Sequence, residues 1–152
     1  MSPYLQRLRE RVGHDLVLLP AVCVLPWDEH GRLLVVREAQ TGLWQTVGGS
    51  IEPDESPLQA AQRETAEETG VSVRIEGIRA VTGGREYRLG YPNGDLVSYV
   101  SIVFDALVVD GTPRPDGEET LATAWLSPSE LREIALTDFT ITLLSDPAVA
   151  IL

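Results

Sequence analysis

Apolar positions recur along the chain in two rhythms, and the changes from one to the other mark its elements. Ser2-Pro3, then Leu5, Leu8 and Val12, then Gly13 combine an N-cap, a proline at the first helical position, helical spacing and a terminal glycine. They predict a short helix. Residues 16–25 and 32–37 are β-rich runs separated by Pro26-Trp27-Asp28-Glu29-His30-Gly31, whose composition is that of a turn, so a hairpin is expected. Residues 43–47 suit another short strand, followed by a glycine and acid loop over 48–55. Ser56-Pro57-Leu58-Gln59 supplies an N-cap, a proline at the first helical position and the glutamine of a capping box. Gly70 ends that helix, the best marked in the chain. Residues 71–81 read as a strand, and Asn93-Gly94 signals a turn before the alternating run 97–109, where Val100, Ile102, Phe104, Ala106 and Val108 share one face. A last strand over 122–126, a helix start at Ser127-Pro128 and a helix over 138–144 complete a mixed sheet interleaved with helices.

Length and composition narrow the class. At 152 residues, 43% hydrophobic and 23% charged, the chain suits a single domain, 1–152, with a real core. No apolar run approaches the roughly 20 residues that span a bilayer, and no secretory signal is apparent, so a cytoplasmic protein without a membrane partner is expected. A net charge of −11 with no basic stripe argues against a nucleic-acid polymer as partner. A small anionic substrate is compatible if cations and a few arginines neutralise it locally.

The inventory of reactive groups points to the acids. All twelve basic residues are arginine, which excludes a Schiff-base or phosphate-loop lysine. Cys23, the lone cysteine, lies within an apolar run and reads as a buried thiol. His14 and His30 flank glycines at helix-end and turn positions and read as surface residues. Catalysis in this chain must therefore lean on carboxylates and on a metal they hold.

The segment 49–71 concentrates such groups. Glu64, Glu67 and Glu68 are spaced i, i+3 and i+4, so they lie on one side of the helix about one turn apart. Like charges at that spacing repel, and the negative end of the helix macrodipole adds to the repulsion. Hard divalent cations held by carboxylate oxygens are the natural compensation. Arg63, adjacent to Glu64 and four residues before Glu67, offsets part of the repulsion and can reach back to Glu55, bracing the loop on the helix.

This stretch resembles the Nudix box: a glycine, a glutamate six residues on, and, after seven more, R-E-U-x-E-E-x-G-U with U aliphatic. Here it reads Gly49, Glu55, then Arg63-Glu64-Thr65-Ala66-Glu67-Glu68-Thr69-Gly70-Val71. Seven fixed positions at background frequencies coincide about once in 10⁸ starting points. Thr65 stands at the first aliphatic position, Val47 where relatives often carry proline, and Asp54 where glycine is frequent; none replaces a metal-binding carboxylate. The resemblance extends to 32–37 and 43–49 before the box, and to Trp125-Leu126 with Glu130-Leu131 after it.

The resemblance implies an α/β/α sandwich around a mixed sheet and magnesium-dependent cleavage of a diphosphate bond, with manganese as a substitute metal. By position, Gly48 (through its carbonyl), Glu64, Glu67 and Glu68 would hold metal. Glu64, Glu68, Arg63, Glu55 and Glu119 would form the catalytic set, Glu119 as a base from a later loop with Glu118 second to it. The alternative for 116–119 is a solvated acidic loop. Arg37, Arg85 and Arg88 are candidates for phosphate contact, and Trp44, Tyr87 and Tyr91 for stacking on a base; surface or core placement is the alternative for each. The implied substrate is a nucleoside diphosphate linked to another group, such as ADP-ribose or a nucleotide sugar. Noncanonical triphosphates, dinucleoside polyphosphates (the last favoured by Tyr87) and a nucleotide sensor without turnover are the competing readings. Isomerase chemistry on the same fold fits poorly with one thiol. Relatives are often dimers, so a homodimer is compatible.

Overall fold

The computed structural model describes all residues 1–152. The elements run α1 (Pro3–Val12), β1 (Val17–Trp27), β2 (Leu33–Glu38), β3 (Trp44–Gln45), β4 (Val47–Ser50), α2 (Pro57–Thr69), β5 (Ser72–Thr82), β6 (Arg88–Gly90), β7 (Leu96–Asp110), β8 (Thr120–Leu126), α3 (Pro128–Leu131) and α4 (Asp138–Ser145), with one 3₁₀ turn at Arg85–Tyr87. The eight strands form one mixed sheet in the order β3-β2-β1-β7-β5, with β4 on β1, β6 on β7 and β8 on β2. No helix is long and apolar enough to cross a membrane.

The expected hairpin of β1 and β2 forms, but the two strands pair only at Trp27 and Leu33. Beyond that point they diverge. β3 pairs with β2 at Val36 and Arg37, while β4 pairs with β1 from Ala21 to Val24. The segment anticipated as one strand over 43–47 is thus split at Thr46 and wedged into the opening, which carries Gly48 and Gly49 into the sheet. On its other edge β1 runs parallel to β7 from Val17↔Val97 to Trp27↔Leu107.

Period-two alternation sorts the side chains of these strands onto two faces. One buries Val22, Val24, Leu34, Val36, Phe104 and Ala106 against Ala60 and Ala61 of α2. Ile102 and Val108 pack beside them, so the shared face read from the alternation in β7 is the α2 face. The other face buries Cys23, Leu25, Leu33, Val35 and Val103 against Leu131 of α3 and Leu143 and Leu144 of α4. Helices on both sides of the mixed sheet make the α/β/α sandwich.

Local rules account for α2. Ser56 and Gln59 form the reciprocal capping box, Pro57 opens the helix, and Gly70 closes it in the left-handed conformation. Thr65, at the position where an aliphatic residue was anticipated, is fully buried. Its hydroxyl donates to the Ala61 carbonyl at 2.7 Å, which satisfies the polar atom within the helix.

A candidate acidic hydrolase site

Two close approaches set β4 against β1 and α2. A Cβ at Gly48 would strike the Val22 carbonyl, and one at Gly49 would fall on the carboxylate of Glu64. Glycine at both positions lets the loop backbone lie directly on the acid-bearing face of α2. The Gly48 N–H donates to Glu68 Oε2 at 3.4 Å, a long bond that leaves most of the carboxylate's charge uncompensated.

Arg63 ties this loop to the helix. Its Nε and Nη2 donate to the two oxygens of Glu55 at 3.0 and 2.6 Å, and Nη2 also reaches the Ser50 carbonyl at 3.1 Å. Nη1 donates to Glu64 at 2.8 Å and Glu67 at 3.2 Å. Glu55 in turn accepts from the Glu52 N–H at 3.0 Å. The brace anticipated between Arg63 and Glu55 is therefore present as a bidentate pair, and it holds the Glu55 carboxyl below the usual glutamate range.

The remaining acids are left strained. Glu68 is only 7% exposed. Burial, and next the charge of Glu64, push its carboxyl well above the ordinary value, with Glu119 and Asp116 adding to the effect. Burial also raises Glu64, although Arg63 pulls against it. Glu119 and Glu118 line the same cleft. Asp116 shapes their loop: its Oδ1 accepts from the N–H groups of Glu118, Glu119 and Thr120 at 2.8, 2.9 and 2.9 Å. The loop is organised and faces the acids of α2.

The donor set fits a hard divalent cation. Buried carboxylate oxygens with raised proton affinity and one long amide bond are short of positive charge, and oxygen is the donor such cations prefer. As the side chains stand, no three acidic, histidine or cysteine groups converge on one point that could hold a metal. Arg63 Nη1 holds Glu64 and Glu67, while Glu68 accepts from the Gly48 N–H.

The cleft has two compartments. The acidic one, about 1130 Å³, lies between Arg63, Glu64, Glu67 and Glu68 on one side and the first residues of α1 on the other. The second, about 610 Å³, is lined by Tyr91, Tyr99, Phe139, Thr137 and Cys23. Glu38, Gln45, Gly48, Gly49, Tyr91 and Tyr99 border both. Tyr91 and Tyr99 share a hydrogen bond at 2.8 Å, and Tyr99 stands edge-on to Phe139 at 6.0 Å. The hydroxyl of Ser101, beside this second compartment, is buried without a hydrogen-bond partner.

Of the residues anticipated to meet substrate, only Tyr91 lines the cleft. Tyr87 is buried, donates its hydroxyl to Asp146 at 2.7 Å and packs edge-on to Phe139. Trp44 packs against the core, with the Arg37 guanidinium 6.0 Å above its ring. Arg85 and Arg88 are exposed away from both compartments. Tyr99 and Phe139 had not been singled out. Tyr99 lies on the face of β7 opposite the regular aliphatic run, where an aromatic between Val97 and Ser101 was the available signal. Phe139 is brought in by α4, which no local pattern ties to the cleft.

Comparison with known proteins places this geometry. A model of the NUDIX domain matches residues 17–144. A MutT-like protein of Streptomyces ambofaciens is 36% identical over 105 residues, covering 69% of this chain and 61% of that protein. An isopentenyl-diphosphate Delta-isomerase of Streptomyces coelicolor is 37% identical over 119 residues, covering 74% of this chain and 59% of that one. The chain thus spans about 60% of the length of these relatives. Among solved structures, a MutT NUDIX hydrolase from Burkholderia pseudomallei superposes with a TM-score of 0.68 at 23% identity, over 82% of this chain and 94% of that one.

Proposed function

The chain belongs to the Nudix family, and from that premise we propose that it hydrolyses a phosphoric anhydride bond in a nucleoside diphosphate linked to another group. ADP-ribose or a nucleotide sugar is the substrate class. The observation that carries the reading is the pairing of compartments: charge-deficient carboxylates at Gly48 and Gly49 open directly into an aromatic pocket. A nucleoside diphosphate has that same pairing of an aromatic base and a polyanion.

Glu64, Glu67, Glu68 and the Gly48 carbonyl would hold magnesium, or manganese in its place. When bound, the metal supplies neutralisation of phosphate charge and polarisation of the phosphorus centre. Arg63 and Glu55 keep the loop and helix in register, so that these oxygens point into one compartment. Glu119 accepts the proton of the attacking water as its oxygen bonds to phosphorus and the bridging anhydride bond breaks. Tyr91, Tyr99 and Phe139 enclose the base, which excludes water from one flank of the diphosphate. Arg37, Arg85, Arg88, Trp44 and Tyr87 have no part in this arrangement. The burial of Tyr87 removes the feature that had favoured dinucleoside polyphosphates. A cytoplasmic enzyme is expected with such substrates.

Isomerase relatives raise a second chemistry, proton transfer at carbon, which a chain with one thiol supports less well. Cys23 is buried in β1, and burial pushes it up to about 12, so it stands as the thiol and not the thiolate nucleophile near neutral pH.

Incubation of the purified protein with magnesium and a panel of nucleotide sugars, ADP-ribose, triphosphates and dinucleoside polyphosphates tests the reading, with products separated chromatographically. Cleavage of the linked diphosphates ahead of the other classes is expected, and heavy-oxygen water identifies the phosphorus attacked. Turnover of triphosphates alone would replace the substrate class, and no turnover on any member would favour a sensor.

A further inference from the structure

The helix α1 lies outside the stretch matched by the family model, which begins at residue 17, yet it forms one wall of the acidic compartment. Met1, Ser2, Pro3, Leu5 and Arg9 line that space together with Glu64 and Glu67 of α2. What keeps α1 there is unusual. Although Ser2 caps it, accepting from the Leu5 N–H, none of its residues is buried. A ten-residue helix is marginal alone in water, and the apolar stripe of Leu5, Leu8 and Val12 is only half-buried.

The polar part of the attachment gathers at one place. Arg9 Nη2 donates to the Leu96 carbonyl at 2.8 Å, and its Nη1 to the carbonyls of Gly13 and Asp15 at 3.0 and 2.8 Å. Its Nε lies 3.5 Å from Asp95, whose other carboxylate oxygen is 2.7 Å from His14 Nδ1. The Asp95 carbonyl accepts from the Tyr91 N–H at 2.9 Å. One residue thus joins the end of α1 to the turn that carries Tyr91, at the border of the two compartments.

We propose that α1 is a latched wall of the cleft, with Asp95 as the latch and Arg9 and His14 as its α1-side partners, and that it sets how large a group beyond the diphosphate the site accepts. The size limit rests on the functional reading above. The latch stands on its own contacts. Locally cooperative opening is expected of an element with few buried contacts and exposed hydrogen bonds, and α1 has both properties. Asp95 and Arg9 act as positioning residues: they hold a wall, and the chemistry at phosphorus proceeds without them.

The test is the double variant Arg9→Ala with His14→Ala, which leaves the internal bonds of the Asn93–Asp95 turn in place. Asp95→Asn serves as a second variant. Amide hydrogen exchange reads the latch directly: protection of residues 3–12 should fall by about tenfold while that of α2 is unchanged. With ADP-ribose and magnesium, KM should rise about tenfold while kcat changes by roughly twofold or less. The preference for ADP-ribose over a bulkier dinucleoside polyphosphate should narrow. Unchanged protection of α1 in both variants would overturn the latch. Lost protection with unchanged KM and preference would overturn the role in size selection. If the unaltered protein turned over no substrate, the functional reading would fall and exchange alone would still decide the latch.

Discussion

The two helices that face each other across the cleft are built on opposite terms. α2 is capped at both ends and buries Ala60, Ala61, Thr65, Glu68 and Thr69, whereas α1 is capped as well but has residues that are at most half-buried. Capping alone therefore does not determine how firmly a helix is held. α2 packs apolar residues against the sheet and carries crowded, desolvated acids, while α1, half-buried, adds the contacts of Arg9 and His14 with Asp95. On the proposed function, α2 bears the chemistry and α1 bounds the space in front of it.

The comparison is sharpest at Glu68, where α2 tolerates a buried charge. Replacing it by glutamine should lower kcat by about 10³-fold, as expected when a ligand of a catalytic metal is lost, while the fold is kept. Near-normal turnover by this variant would remove Glu68 from the ligand set. The stability of the same variant gives an independent check. A carboxyl whose folded pKa is raised contributes stability below its unfolded pKa and loses it as pH rises through the folded value. In metal-free buffer, Glu68→Gln should therefore match the unaltered protein in acid and exceed it increasingly toward neutral pH. Denaturant unfolding at a series of pH values reads this directly, and a gap that widens toward acid would contradict it.

A smaller effect is expected from the brace. Arg63→Ala leaves Glu55 and Glu64 without their main partner in a half-buried setting, and should cost about 2 kcal/mol in denaturant unfolding. An unchanged midpoint would mean that the loop holds to α2 without it. The smallest effects separate the two helices most simply. Ser56→Ala removes half of the α2 capping box and should cost about 1 kcal/mol of global stability. Ser2→Ala removes the matching cap from α1 and should leave the global midpoint unmoved, with faster exchange confined to residues 3–12. A global loss from Ser2→Ala would show that α1 is part of the cooperative core.

Much of this was legible from local pattern. The caps and span of α2, the alternating face of β7, the turn at Asn93-Gly94 and the acids of the box rest on spacing and backbone chemistry within a few residues of one another. The pairing of Arg63 with Glu55 was also within reach, because eight residues across a loop and two helical turns bring them together. The splitting of residues 43–47 into β3 and β4 was not legible. It follows from the divergence of β1 from β2, which depends on β7 and β8 taking the far edges of those strands. Which arginines and aromatics reach the cleft was the least legible part. Arginines and aromatics near the box in sequence were credited with a role that depends on direction in space, and Tyr87 turned inward to Asp146 while Tyr99 and Phe139 came in from distant segments.

The family and the acid-bearing helix can be read from spacing alone, because the box is local and like charges one turn apart repel whatever surrounds them. Tertiary packing sets which of those acids is buried, which aromatics line the cleft, and that the half-buried α1 meets the turn at Asp95. Burial and convergence are properties of segments far apart in the chain. Arg9 and Leu96, 87 residues from each other, meet only when the sheet has formed.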